Sequence, residues 1–290
     1  LTGKRIEYYP DGKQQNIIYF DNSLPTGIEC YDSAGKLLYK TTEKDSTFYF
    51  KSFYPDGILK MEGGFVKGQK SGKWLVYNPA GVLKEELNYF NNMLQGLQKT
   101  YYPNGFISEE YYCDSNLIVG EYKEYYTNGR LKTSGYYNKK GKTGDWFTYF
   151  LNDTIESHTY YADGIQTGRY ISYYPGGKKN LEMFYNEDNK PVRTVKYNHQ
   201  GQIEIDMDYE YGIHHFETFY PSGKRKDIIN MTDGFMHGIQ ENYFPNGQIA
   251  KKDSFIFGLQ HGTSYSWNYR GQLCTEIPYI LNVNEGLAKW

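Results

Sequence analysis

Tyr125-Tyr126-Thr127-Asn128-Gly129-Arg130-Leu131 decides how this chain is read. Two aromatic residues, an Asn-Gly pair and an aliphatic residue make a β-hairpin signature. Asn-Gly between apolar residues is a strong hairpin signal, because a two-residue turn of this kind takes positive φ at both positions. One copy would place one hairpin. The pattern recurs almost to the end of the chain, so the chain reads as one module copied many times.

Aligned on the turn glycine, the copies fall at Gly12, Gly35, Gly57, Gly81, Gly105, Gly129, Gly177, Gly201, Gly223, Gly247 and Gly271, with Asp153 in the slot between Gly129 and Gly177. Successive spacings are 22 to 24 residues. A second series stands nine residues earlier, at Gly3, Gly72, Gly96, Gly120, Gly144, Gly168, Gly238 and Gly262, with Gly27 one residue out of step. Gly286 opens a further copy that stops at Trp290. Each unit therefore holds two turns: a tight one at Asn-Gly and a looser one such as Tyr137 to Gly144. That leaves room for two strands of ordinary length per unit. No window keeps a 3.6-residue period, so no helix is expected. The expected fold is all-β: an elongated, single-layer, solenoid-like array of antiparallel β-hairpins, about twelve units of 24 residues, running through residues 1–290 as one domain. Roughly 24 strands at about 4.8 Å would make a ribbon on the order of 115 Å long. Irregular units are expected around 41–50 and 183–216.

Two columns recur inside the unit. Two residues after the turn glycine comes an aliphatic residue (Leu59, Leu83, Ile107, Leu131), and eight residues after it an aromatic one (Phe65, Tyr89, Tyr137, Tyr161). Their offsets share parity, which places both on one sheet face. A two-residue turn pairs Tyr126 with Leu131 on that face, and Tyr125 with Lys132 on the other. Each face then carries an aromatic ladder, and cross-strand aromatic pairs stabilise a thin sheet by roughly 0.2–1 kcal/mol each.

The formal net charge is −2, from 32 Lys+Arg and 34 Asp+Glu, with the signs interspersed. This lacks the concentrated basic footprint that nucleic acid or anionic lipid requires, and no apolar run reaches the roughly 20 residues of a membrane helix. Cys30, Cys113 and Cys274 lie more than three repeats apart in a linear array, too far for a disulfide, and are expected to be free thiols. Free thiols fit a reducing compartment. The start at Leu1, in mid-repeat and without an initiator methionine, points instead to a lost upstream segment and to export or the cell envelope.

No residue pattern argues for catalysis: no nucleophile elbow and no phosphate-cradling glycine loop before a helix. No cofactor is expected. His237 and His261 are one repeat position seen twice, and His214-His215 point to opposite faces of a strand, so neither pair chelates a metal. The stretch Ile203-Glu204-Ile205-Asp206-Met207-Asp208-Tyr209-Glu210-Tyr211 alternates throughout, aligning Glu204, Asp206, Asp208 and Glu210 on one face at roughly 7 Å intervals. Turn pairing sets Arg193 opposite Asp208. A solvated acidic strand explains this stretch, and the functional alternatives are a docking strip for a basic partner or a weak calcium site.

On Tyr101-Tyr102-Pro103-Asn104-Gly105, Tyr243-Phe244-Pro245-Asn246-Gly247 and the connector Asp233-Gly234-Phe235-Met236-His237-Gly238, the chain resembles MORN repeats in the tyrosine-rich bacterial variant grouped with YwqK-type proteins. The resemblance implies a long curved sheet of hairpins acting in protein–protein or surface interaction; some relatives are labelled antitoxins. Asp153 and the stretches 41–50 and 183–216 depart from the motif. Tyr31 to Leu37 also looks like a YD repeat of toxin-encapsulating shells, which use far more copies. Choline- and glucan-binding repeats have a shorter period and tryptophan-lined sites, against four tryptophans here. The expected function is a non-enzymatic scaffold presenting a tyrosine-rich sheet to a protein partner through Glu204, Asp206, Asp208, Glu210 and the ladder Tyr101, Tyr125, Tyr149 and Tyr173. The alternatives are a carbohydrate-binding envelope protein and an antitoxin-like protein that neutralises a toxin. End-to-end self-association through free sheet ends is a further expected contact.

Overall fold

The computed structural model describes residues 2–43, 45–209 and 212–284. Among them every regular element is a strand, the strands pair antiparallel, and no α-helix occurs. The all-β hairpin array expected from the repeat is what forms. Chain contacts divide it into two units, Leu1–Trp146 and Phe147–Trp290. The copy opened by Gly286 lies outside the described residues.

The first unit begins with β1 (Gly3–Tyr8), β2 (Gln14–Asp21), β3 (Leu24–Tyr31) and β4 (Leu37–Thr42), a four-stranded sheet in that order. A second ladder starts at β5 (Phe48–Phe53) and continues through β6 (Leu59–Val66), β7 (Gln69–Tyr77) and β8 (Leu83–Phe90) to Gly96–Tyr101, Ile107–Asp114 and Leu117–Tyr125. The break between β4 and β5 falls on the irregular stretch near 41–50. There the first sheet packs on β5 rather than pairing with it: Ile28, Cys30 and Phe48 are buried together, flanked by Ile18, Tyr39, Phe50, Phe53 and Phe65. Unpaired carbonyls along a strand edge invite other chains. Here Cys30 Sγ donates to Lys51 O at 3.1 Å and Tyr39 Oη to Tyr49 O at 2.7 Å, so side chains occupy that edge. The thiols of Cys30, Cys113 and Cys274 are free, the first two buried.

The second unit repeats the scheme. Ile155–Ala162 pairs with Ile165–Tyr173, and the ladder continues in sequence order through Lys179–Tyr185, Pro191–Tyr197, Ile203–Asp208, Ile213–Phe219 and Arg225–Thr232. Gly238–Tyr243, Ile249–Ile256, Gly262–Trp267 and Leu273–Ile280 follow.

The two turns of the unit exchange the roles expected of them. At Tyr126–Arg130, Gly129 N donates to Tyr126 O and Tyr126 N to Arg130 O, both at 2.8 Å, and only Gly129 has positive φ, 81°. This is a three-residue loop, a type I turn followed by a glycine bulge, not a two-residue turn. Asn128 is favoured for another reason: its Oδ1 accepts Arg130 N at 3.1 Å. Asn246 and Asp56 do the same for Gln248 and Ile58. Asp153 fills the glycine slot at φ 65°. The supposedly looser turns are the tight ones. Asn22-Ser23, Asn91-Asn92, Ser115-Asn116 and Asp163-Gly164 have positive φ at both positions. The second glycine series sits beyond them, inside the next strand, where Gly72 (φ 72°), Gly120 (φ 76°) and Gly168 (φ 71°) mark a bulge.

Register follows from this. The extra loop residue pairs Tyr125, not Tyr126, with Leu131, and a bulge at Lys132 restores the expected pairing at Glu124 and Thr133. That bulge also reverses the alternation. Leu131 lies on the face of Tyr125, while Tyr137 lies with Tyr122 and Trp146 on the other, so the aliphatic and aromatic columns do not share a face. Farther from the turn the expectation holds, and Arg193 stands opposite Asp208.

Candidate functional site

The face away from the tyrosine–carboxylate side carries the aromatic packing. Trp74 and Trp146 are buried, each edge-on to an aromatic neighbour: Phe65 at 5.2 Å and Tyr137 at 5.1 Å. Opposite each indole is a glycine, Gly63 or Gly135, where a Cβ would fall 2.2 Å from the ring. Lys70 and Lys142 lie over the indoles at 4.4 and 4.1 Å, and burial lowers both ammonium pKa values. Each indole N–H also takes a carbonyl ten residues back, Gly64 O or Tyr136 O, at 3.2 Å. In two copies glutamine stands in the tryptophan's place. The fully buried Gln98 amide accepts Asn88 N at 2.8 Å and donates to Asn88 O at 3.2 Å, and Gln240 does the same with Asn230. These side chains supply the ladder bonds that the bulge interrupts. This face is packed within itself.

The other face carries a repeated tyrosine–carboxylate–cation group. In several copies the first tyrosine of the motif donates to a carboxylate: Tyr77 to Glu62 at 3.0 Å, Tyr125 to Glu110 at 2.5 Å, and Tyr197 to Glu182. In Tyr31–Glu29 and Tyr243–Glu241, both at 2.5 Å, the carboxylate comes from the tyrosine's own strand. A cation completes each group: Lys51 on Glu62, Lys99 on Glu110, Lys179 and Arg169 on Glu182, Lys40 on Glu29, and Lys252 on Glu241. Burial, and then the bond to Glu62, pushes the Tyr77 phenol up to about 12. The bond to Glu29 does the same for Tyr31. Lys40, with Tyr31 and Tyr19, holds the Glu29 carboxyl down to about 2. These phenols are neutral donors, not nucleophiles.

The second tyrosine links one repeat to the next. Its hydroxyl donates to a carbonyl 22 or 23 residues on: Tyr9 to Tyr31 O, Tyr54 to Tyr77 O, Tyr102 to Tyr125 O, Tyr174 to Tyr197 O and Tyr220 to Tyr243 O, at 2.7 to 2.9 Å. Sequence reading missed this link, whose signal is a tyrosine recurring at the second position in Tyr9, Tyr54, Tyr102, Tyr174 and Tyr220, while Asp32, Asn78, Asn198 and Phe244 hold that position in other copies.

The expected site residues distribute unevenly. Tyr101, Tyr125, Tyr149 and Tyr173 are half-buried at strand ends beside the three-residue loop. Tyr125 lines an open depression of about 310 Å³ with Phe106, Ile107 and Glu110. In the acidic stretch a bulge interrupts the alternation. Glu204 turns to Lys196, 3.4 Å away, and the face of Arg193 keeps only Asp206 and Asp208. Arg193 grips Asp206 with Nε at 2.8 Å and Nη2 at 2.6 Å. Across the next strand pair lie Glu217, held by Arg225 at 2.9 Å, and His215, whose Nδ1 is 2.8 Å from Asn230 Oδ1. Phe184 sits between Arg169 and Arg193, 5.5 and 5.9 Å from its ring. The strip is therefore a mixed-charge face rather than a bare acidic one. Glu210 lies outside the described residues. Among the described residues no three His, Cys, Asp or Glu side chains converge as a metal requires, and no helix is long and apolar enough to cross a membrane.

Serial hairpins locked to their neighbours, with one packed face and one polar–aromatic face, define a repeat scaffold. The chain is a MORN-repeat protein of the variant type. The model of the MORN repeat variant family matches residues 1–22, 70–91, 94–114, 118–139, 166–187 and 236–256. No curated protein sequence matches it. Among solved structures it is similar to a chain in the TcdB2–TccC3–Cdc42 crystal structure, at 11% identity and a TM-score of 0.22, over 98% of this chain and 17% of that one. A chain of the Photorhabdus luminescens Tc holotoxin pore matches at 10% identity and TM-score 0.23, over 96% of this chain and 17% of that one. A porin-like protein from Bacteroides uniformis matches at 10% identity and TM-score 0.17, over 83% of this chain and 92% of that one. The chain thus spans about a sixth of the toxin-complex chains, 17% of their length. Scores this low transfer neither fold detail nor function.

Proposed function

We propose that the chain is a non-enzymatic scaffold that receives a protein partner on its tyrosine–carboxylate–cation face. The observation carrying this reading is the recurrence of the hydroxyl–carboxylate–cation group at Glu29, Glu62, Glu110, Glu182 and Glu241, the carboxylates largely buried, their cations partly exposed, and the whole held in strand register. Alternating donors and acceptors with aromatic sides supply the directional contacts and rigid area of a polar protein interface, at little ordering cost. In the second unit the face is richest around Arg193, Asp206 and Asp208, and these charges select partner and register more than they add affinity.

Affinity capture with the full chain tests the reading. A partner retained by the wild type should be lost by the triple variant Glu204→Lys, Asp206→Lys, Asp208→Lys, and weakened by Tyr125→Ser. Equal recovery with all variants, each still folded by circular dichroism, would remove this face as the binding surface.

A further inference from the structure

In the second unit, three successive tight turns carry exposed apolar side chains, two of them at the turn's first position itself. They are Asp233-Gly234, Phe257-Gly258 and Leu281-Asn282. They stack on one another: Gly258 N donates to Met236 O at 2.7 Å and Asn282 N to Gln260 O at 2.9 Å. Along the rim they form, Phe235, Met236, Phe257, Leu259, Leu281 and Val283 are 40 to 59% exposed. The rim segments 234–240, 254–262 and 277–284 contain no Asp, Glu, Lys or Arg.

Phe257 (φ 45°) and Leu281 (φ 48°) occupy the first turn position in the left-handed region. Asn22, Asn91, Ser115, Asp163 and Asp233, all short and polar, and the solvated Lys67 hold that position in other turns. A bulky side chain there strains the backbone, and the strain gains little inside the chain, since both residues stay half exposed. His237 covers one side of the Phe257 ring, at 4.9 Å.

We infer that this rim is the contact between two copies of the chain. The exposed apolar side chains present roughly 600 Å² together, taking about 200 Å² for one large side chain laid bare, so two copies would bury about 1,200 Å² between them, the lower end of a specific interface. Apart from Asp233 the patch carries no charge, so it offers little to a charged partner or a lipid headgroup. A two-fold contact of the patch with itself needs none. The net charge of −2 puts no long-range repulsion between copies. The inference does not depend on which face receives the protein partner, because the rim is the turn edge of the sheet.

Sedimentation equilibrium of the full chain at micromolar concentration tests it. The wild type should sediment at twice the mass of the chain. Phe257→Asn with Leu281→Asn, which restores the residue type of the other turns, should give a monomer with an unchanged β-type circular dichroism spectrum. Asn91→Asp, in an equivalent turn of the first unit, should leave the dimer intact. If the double variant unfolds, Phe235→Ser with Val283→Ser replaces it and should also give the monomer. A monomeric wild type overturns the inference, including one that takes up neutral vesicles or another protein at the rim, and so does a dimer that survives in the folded rim variants.

Discussion

A Cβ at Gly63 would meet the Trp74 ring at 2.2 Å, and one at Gly135 would meet Trp146 at the same distance. Neither glycine is needed for its backbone conformation; each is there because an indole lies across its strand. Gly63→Ala and Gly135→Ala should each lower stability in urea by about 1–3 kcal/mol, the cost of overpacking a filled site. An unchanged urea midpoint would contradict the packing. Glu29 makes the clearest prediction about pH. Its folded pKa of about 2 lies below the ordinary 4.5, so the stability it contributes is full above about 4.5 and is lost as pH falls towards 2. Glu29→Gln should flatten the loss of stability across that window, measured by thermal unfolding from pH 5 to 2. If the variant kept the wild-type acid profile, the Lys40–Glu29–Tyr31 group would not be its source.

At the scale of the element, repeats are joined by a hydroxyl and a bulge. Tyr102→Phe and Tyr174→Phe each remove one bond to a carbonyl and should cost about 1 kcal/mol in chemical unfolding, alike in both units. Gln98→Ala should cost more, about 2–4 kcal/mol, because it leaves both Asn88 backbone groups unpaired and opens a cavity. Equal costs for the tyrosine and glutamine variants would deny the glutamine its role across the bulge. The hairpin module was legible in the sequence because the turn glycine recurs with little drift. Its internal geometry was legible only in part. Thr127-Asn128-Gly129 satisfies either a two- or a three-residue loop, and the choice rests on φ at Asn128, which composition leaves open. Asn91-Asn92 and Ser115-Asn116 make tight turns without glycine and so looked loose. The side-chain bonds across the bulge escaped notice because Trp74, Gln98, Trp146 and Gln240 share one task with different side chains, and the repeat hides shared tasks under changed identities.

At the scale of the whole molecule, each module stabilises chiefly its neighbours, so stability is a sum of local terms and the array tolerates irregular copies. The break after β4 shows how: side chains take the carbonyls that a missing strand would have bonded. The acidic stretch is the counterpart at the candidate site. Its alternation is real in sequence, but one bulge at Glu204 redistributes its charges, and bulges leave no mark in a pattern of residue types. What the account needs above all is the module itself, repeated in register along the chain. Amide hydrogen exchange resolved by residue on the full chain tests that most directly. It should show protected strands separated by fast-exchanging loop residues such as Thr127 and Asn128, recurring every 22 to 24 residues. Protection running unbroken through Tyr125–Leu131 and its counterparts, or following a helical period, would contradict it.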